Sequence, residues 1–542
     1  MARSRPTPAT LYQLKHTWRP RSGHGPAGVF LARTFASSEP LRLRTTELDG
    51  PKLSGLKVNS ARLWDTIHAT AQWTSSARPK TNDIRTAGLS RLALGDEDKA
   101  ARDWFISTTQ SLGCKTHVDQ MGNIFAIRPG LSSSSSSPPS AGRVKAPATF
   151  AGSHLDSQPS GGRFDGVLGV AAGIEMLRVL EENSIETEGD VGVVNWTNEE
   201  GARFPVSMMG SSVWSGRVGL ERAWGVRSVS PGLPEVTVKD ELERIGYLGD
   251  VPCYHDGKPG TVVGAHFELH IEQGPKLERA RQKIGIVEGV QAYKWFTVTI
   301  TGRESHAGTT DFDNRADALY FAATFLHKVR RIAQSLKGLA TVGIMNVSPG
   351  SVNTVPGQVV MSLDLRNPLD RGLRRMVKKV EEFIQLVNEG DDDHTDPADD
   401  ERKGGAGGKN NRSTSTTGRP AERISRLKEN PLTKIRVEMR EDFSSDAITF
   451  NHEAIRCIEE SALAVLGGDA GKIQRMLSGA GHDSVCTNVH CPTGMIFVPC
   501  KDGVSHNPSE WCEEEDCAVG ANVLLHSVLR MDRLRKERGD FD

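Results

Sequence analysis

The sequence predicts an α/β protein: a mostly parallel sheet covered by helices, with a smaller α+β unit inserted into it. Two observations carry that expectation. Short apolar runs alternate with amphipathic helical stretches between residues 148 and 290, the pattern of a sheet with helices on both faces. From residue 293 the order becomes β-α-β-β-α-β, and a helical pattern returns only at Ala454 to Leu466, so the second unit sits inside the first.

The elements follow in order. Ala148 to Ala151 reads as a short strand running up to His154. Asp165 opens a helix whose broad apolar face carries Val167, Leu168, Val170, Ala171, Ile174, Leu177 and Leu180. Val191 to Trp196 is the next strand, leading to Glu199 and Glu200, and His266 to His270 another, leading to Glu272. In the inserted unit, Trp295 to Ile300 is a strand and 315–335 a long helix. Leu339 to Asn346 and Gln358 to Arg366 are strands, 371–387 is a second helix, and Ile435 to Glu441 is the last strand. The expected division is a basic extension over 1–57, a catalytic part over 58–292, an inserted unit over 293–449 and a second catalytic part over 450–542.

Two segments lack the composition of a core. Residues 131–147 begin with a serine run and pass through Pro138 and Pro139, as a flexible loop does. Residues 389–421 are charged and glycine-rich, with almost no apolar side chains, and are expected to be disordered. Residues 1–38 carry Arg3, Arg5, Lys15, Arg19, Arg21 and Arg33 with no acid before Glu39, a composition that suits a mitochondrial presequence, although Pro6, Pro8 and Pro20 interrupt any helix. The expected location is intracellular, mitochondrial or cytoplasmic.

With 542 residues the chain suits two or three domains, and 37% hydrophobic with 25% charged residues is a globular composition. A net charge of -1 gives nucleic acid or an anionic membrane no electrostatic hold. No apolar run reaches the roughly eighteen residues of a membrane span. The eight cysteines form no CxxC pair and read as isolated thiols.

The chemistry is concentrated in a few motifs: Gly152-Ser-His154-Leu-Asp156, Gly161-Gly-Arg-Phe-Asp165-Gly166, Asn198-Glu199-Glu200-Gly201, His270-Ile-Glu272-Gln273-Gly274 and Val504-Ser-His506-Asn507-Pro508. Taken singly, each has an ordinary explanation: a lone histidine packs in a core, and an acid after a strand caps a helix. Together they gather imidazoles and carboxylates at strand ends, where reactive groups collect in such sheets. His154 suits a metal through a neutral imidazole, Asp156 can orient an imidazole, and Asp165 can bridge two cations with its two oxygens. Glu200 and His270 can each complete one ion and His506 the other, while Glu199 is placed to act as general base. Two ions about 3.5–4 Å apart acidify a water and polarise a carbonyl. A second group suits a substrate: His306 in Ser305-His306-Ala307-Gly308, Asn353, Arg366 for a carboxylate, and His482 in Gly479-Ala-Gly-His482-Asp483.

These phrases, with His154-Leu-Asp-Ser-Gln-Pro159 and Ser305-His-Ala-Gly-Thr-Thr310, resemble the dinuclear-metal amidohydrolases of the aminoacylase and carboxypeptidase type. The resemblance is to the N-carbamoyl-amino-acid hydrolase, β-alanine synthase and allantoate amidohydrolase branch, and covers roughly residues 58–530. It implies five metal ligands, His154, Asp165, Glu200, His270 and His506, with Asp165 bridging. Glu199 matches the general base, Asp156 its companion, and Gln273, His306, Asn353, Arg366 and His482 the substrate contacts. It further implies two divalent ions per subunit, zinc as the usual metal with manganese, cobalt or nickel as alternatives. The inserted unit is implied to be a ferredoxin-like lid that mediates a homodimer, with His306 reaching into the partner's site.

The implied reaction is hydrolysis of a linear amide or ureido C–N bond beside a carboxylate. For an N-carbamoyl amino acid, N-carbamoyl-β-alanine included, it releases amino acid, ammonia and CO2. Allantoate or ureidoglycolate hydrolysis would use the same centre. An aminoacylase or peptidase is disfavoured by His270, where the resemblance puts an acid in peptidases. A non-catalytic scaffold is disfavoured by the presence of Glu199.

Overall fold

A computed structural model of the protein describes residues 43–47, 50–75, 83–134, 146–229, 235–253, 260–389 and 434–541. Ala148–His154, Val191–Trp196, Val263–Ile271 and Thr493–Val498 form the middle of a nine-stranded sheet. They pair in parallel, with Ala148–His154 between Val191–Trp196 and Val263–Ile271, and Thr493–Val498 on the far side of Val263–Ile271. Ala148–His154, Val191–Trp196 and Thr493–Val498 are buried along their whole length, which explains their unbroken apolar sequences.

The sheet is mixed rather than mostly parallel. Ile124–Arg128 pairs antiparallel with Val191–Trp196, and Lys115–Val118 extends that flank in the same sense. On the other flank Ile284–Val290 runs antiparallel to Thr493–Val498 and to Ile448–Thr449, and parallel to Ile473–Ser478. Helix Val167–Glu182 is buried on almost every face and packs on Ala148–His154. The C-terminal helix Glu514–Glu537 covers it, touching Ser60–Thr70 and His452–Val465 as well.

Between the two parts of this sheet, a five-stranded antiparallel sheet is built from Ala292–Thr301, Leu339–Thr341, Met345–Ser348, Gln358–Asn367 and Arg436–Ser445. Helices Ala318–Ser335 and Asp370–Glu389 separate its strands in the β-α-β-β-α-β order of the sequence, except that the strand expected over Leu339 to Asn346 is broken in two. Asp317 caps the first helix by accepting the N–H groups of Leu319 and Tyr320. This sheet has its own apolar cluster, in which Phe325, Met376 and Val298 are fully buried. Ile448–Thr449 already belongs to the larger sheet.

The basic segment 1–38 lies outside the described residues, as do 135–145 of the serine-rich loop and 390–421 of the second low-complexity stretch. Leu131–Ser134 forms a short helix, and Glu389 ends the helix before it. All eight cysteines are buried. No helix among the described residues is long and apolar enough to cross a membrane.

Phe325 packs against Phe383 at the centre of the second cluster, with ring centroids 6.0 Å apart. Phe325→Ala is expected to cost about 3–5 kcal/mol of stability, read as a lower urea midpoint.

Candidate active site

The parallel strands deliver their C-terminal ends to one edge of the large sheet, and the motif residues meet there. His154 closes Ala148–His154, and Glu199 and Glu200 follow Val191–Trp196. His270 lies one residue before the end of Val263–Ile271, and the loop after Thr493–Val498 carries His506. Asp165 stands just ahead of helix Val167–Glu182 and divides its oxygens. Oδ1 lies 3.6 Å from His154 Nε2 and 3.0 Å from His270 Nε2. Oδ2 lies 3.4 Å from His506 Nε2, which is itself 3.4 Å from Glu200 Oε2. Asp165 therefore belongs to two groups of potential ligands, His154–Asp165–His270 and Asp165–Glu200–His506, each with its donor atoms within 4.8 Å of one another. The first group is buried and the second opens outward, since half of the His506 side chain is exposed.

Second contacts fix how these donors point. His154 Nδ1 donates to the Asp156 carbonyl at 2.9 Å, and His270 Nδ1 to the Ile271 carbonyl at 2.9 Å. A carbonyl only accepts, so both rings carry a proton on Nδ1 and turn Nε2 toward Asp165. The Asp156 carboxylate faces both the imidazole and the glutamates. It lies 3.8 Å from His154 Nδ1 and accepts the N–H groups of Glu199 and Glu200, each at 3.2 Å. The one residue thus places the His154 ring by its backbone and both glutamates by its side chain. Glu199 turns Oε2 to within 3.6 Å of His154 Nε2, while Glu200 accepts from the backbone and side-chain nitrogens of Gln158 at 3.1 and 2.8 Å.

The backbone is strained where it turns these side chains inward: Asn198, Gln273 and His506 have φ of 53°, 55° and 53°. For residues with a Cβ such values are uncommon and gather at functional sites. Gly166, at φ 68°, meets a further demand, because a Cβ there would collide with the His154 ring.

The electrostatics favour a cation. Burial opposes charge on His154, yet the carboxylates of Glu199, Asp165 and Asp156 outweigh it and hold the imidazole well above its usual pKa. Burial likewise opposes charge on Asp165, but bonds from His154, His270 and His506 hold it well below the carboxylate range. Glu200 is pushed up to about 7, first by burial and then by Asp165. Two imidazoles with a carboxylate on one side, and two carboxylates with an imidazole on the other, form a mixed nitrogen and oxygen donor set that fits zinc and neighbouring divalent metals.

A cleft of about 230 Å³ opens over the second group, lined among others by Gln273, Tyr293, Trp295, Arg366 and His482. Gln273 Nε2 donates to Asp165 Oδ2 at 2.8 Å, while its Oε1, though buried, has no partner among the described residues. Arg366 is held on one side by Asp364, with Nη2 2.7 Å from Oδ2, and by the Gly479 carbonyl, 2.6 Å from Nη1. Each terminal nitrogen keeps one further N–H. His482 is buried beside His270, with ring centroids 4.6 Å apart, and burial followed by the His270 charge pulls its pKa down to about 3, so it is neutral. His306 and Asn353 are not in this cleft. They sit together on the smaller sheet's side, exposed, joined by the Ala307 N–H donating to the Asn353 carbonyl at 2.9 Å.

Several site residues escaped the reading of the sequence. Gln158 stands within a quoted motif, and Glu510 lies four residues after His506, so both were in view without a reason to choose them. Tyr293 and Trp295 look like ordinary strand residues until the strand's end is placed over the cleft.

Clustered imidazoles and carboxylates at the C-terminal edge of an α/β sheet, with a base-like glutamate beside them, define a metal-dependent hydrolase. The chain belongs to Peptidase family M20/M25/M40, whose family model matches residues 150–530. It is 34% identical to an N-carbamoyl-L-amino-acid amidohydrolase of Rhizobium meliloti over 476 residues, 87% of this chain and 96% of that protein. It is 26% identical to a ureidoglycolate hydrolase of Arabidopsis thaliana, across 83% of each chain. Among solved structures, a hydantoinase/carbamoylase family amidase of Burkholderia vietnamiensis superposes with a TM-score of 0.68 at 35% identity, over 88% of this chain and 98% of that one.

Gly166→Ala is expected to push the His154 ring aside and weaken divalent-cation binding at least tenfold. Calorimetric titration of the folded variant measures this.

Proposed function

We propose that this protein is a metal-dependent amidohydrolase that cleaves the linear ureido C–N bond of an N-carbamoyl amino acid, releasing the amino acid, ammonia and CO2. The observation that carries the reading is the division of Asp165 between two ligand groups, with Glu199 beside one of them and Arg366 across the cleft. His154, Asp165 and His270 would hold one cation, and Asp165, Glu200 and His506 the other. Zinc is the metal the donor set favours. When bound, the pair of cations acidifies a water and polarises the scissile carbonyl.

The chain's own groups do the rest. Glu199, desolvated by burial and surrounded by Asp483, Glu200 and Asp165, has its pKa raised well above the usual range, which suits a group that must take a proton from water and return it to the leaving nitrogen. Asp156 keeps Glu199 in place through its backbone N–H. Arg366 offers its two remaining N–H groups to the substrate carboxylate, and Gln273 Oε1 and His482 contact the ureido group. His306 and Asn353 serve a second copy of the chain.

In this reading residues 293–449 are a ferredoxin-like lid and dimerisation domain between catalytic parts 58–292 and 450–542. Support comes from the apolar side chains this segment exposes: Phe312 at 85%, Tyr320 at 77%, Leu339 at 61% and Ile344 at 62%. Exposed apolar side chains of this size mark interaction surfaces where they are contiguous. Leu339 lies on an edge strand, where a second copy can pair.

The same centre serves allantoate or ureidoglycolate. The match to a plant ureidoglycolate hydrolase keeps that second reading in play, and the higher identity to N-carbamoyl-L-amino-acid amidohydrolases favours the first.

Glu199→Gln is expected to lower kcat by about 10²–10⁴-fold with metal content unchanged, measured as ammonia release and by elemental analysis. Chelation should abolish turnover of every substrate, and zinc, manganese or cobalt should restore it. Side-by-side assay of N-carbamoyl-L-α-amino acids, N-carbamoyl-β-alanine and allantoate decides the substrate; a preference for allantoate would overturn the carbamoyl reading.

A further inference from the structure

Glu510 is a buried acid, 2% exposed, to which the mechanism above gives no part. Burying a carboxylate is costly unless its oxygens are satisfied. Here the donors belong to the candidate metal centre. Oε1 accepts the backbone N–H groups of Phe164 and of Asp165 itself, each at 3.0 Å. Oε2 accepts from Ser505 Oγ at 2.8 Å, and that hydroxyl lies 3.2 Å from Asp165 Oδ2, between the two carboxylates. Ser505 is the residue before His506. Glu510 therefore ties the backbone of the bridging aspartate to the loop that carries His506, across more than three hundred residues of sequence.

The surroundings are shaped around this contact. A Cβ at Gly162 would collide with the Glu510 side chain, so the glycine pair before Asp165 lets the loop close on it. The two neighbouring residues repeat the link in apolar form. Phe164 and Trp511 meet edge to face with centroids 5.5 Å apart, and Trp64 packs on both at 5.8 and 5.3 Å.

We propose that Glu510 is a positioning residue of the metal centre. It ties the Asp165 backbone to the His506 loop, accepting the Asp165 N–H on one oxygen and the Ser505 hydroxyl on the other, so that ligands from the two ends of the chain arrive in register. Partners of metal ligands act in this way by fixing orientation, and their loss typically weakens metal binding about 10–100-fold. The inference rests on the reading of the cluster as a metal centre.

The test is competitive titration of full-length wild type, Glu510→Ala, Glu510→Gln and Ser505→Ala with cobalt(II) against a chelator. It reads affinity, stoichiometry and the cobalt absorption spectrum, alongside melting of the metal-free proteins. Glu510→Ala is expected to lose about 10–100-fold in affinity with an altered spectrum. Glu510→Gln, which keeps a carbonyl acceptor for both N–H groups, should recover most of it, and Ser505→Ala should lose severalfold. If Glu510→Ala melts lower but binds cobalt as wild type does, Glu510 is merely structural and the proposal is overturned. Equal losses in Ala and Gln would overturn the backbone clamp. Should Glu510→Ala fail to fold, a Ser505→Ala protein with unchanged affinity and spectrum would count against the proposal, and a weakened one for it. Wild type that takes up no cobalt would overturn the metal reading and this inference together.

Discussion

Asp165 has one carboxylate and two sets of neighbours. Oδ1 faces His154 and His270, Oδ2 faces His506, and the side chain cannot turn toward one set without leaving the other. The placing of that carboxylate is the constraint on which the site depends. It explains why Gly166 follows Asp165, since any larger residue would strike the His154 ring. It explains why two histidines spend their Nδ1 protons on backbone carbonyls, and why the parallel strands must end at one edge. The positive φ values of Asn198, Gln273 and His506 fall in the turns around the same site, where such strain gathers.

A large part of this was legible in the sequence. The strands Ala148–His154 and Val191–Trp196 stand where their apolar runs placed them, because strands buried on both faces need apolar residues throughout. The β-α-β-β-α-β order of the inserted sheet was readable for a related reason: Gln358–Asn367 alternates buried and partly exposed residues, and helix Asp370–Glu389 buries one stripe. The motif residues were identified by chemistry, and His154, Asp165, Glu200, His270 and His506 do converge.

What stayed hidden was long-range. Nothing local marks Ile284–Val290 as antiparallel to Thr493–Val498, and so the mixed character of the sheet was missed. The spacing of Asp156 pointed to an imidazole, and its carboxylate lies 3.8 Å from His154 Nδ1. Only the three-dimensional turn shows its carboxylate collecting the N–H groups of Glu199 and Glu200. Glu510 could not be chosen over other acids without knowing that its loop folds back onto Phe164 and Asp165. His306 and Asn353 lie exposed on the smaller sheet's side, outside the cleft, a placement that their local sequence does not give.

The central claim is that Asp165 joins two cations. Anomalous diffraction at the zinc absorption edge from crystals of the zinc-loaded protein tests it most directly. Two peaks per chain are expected, about 3.5–4 Å apart on either side of Asp165, one beside His154 and His270 and the other beside Glu200 and His506. A single peak, or peaks that leave Asp165 without a metal on each oxygen, would contradict it.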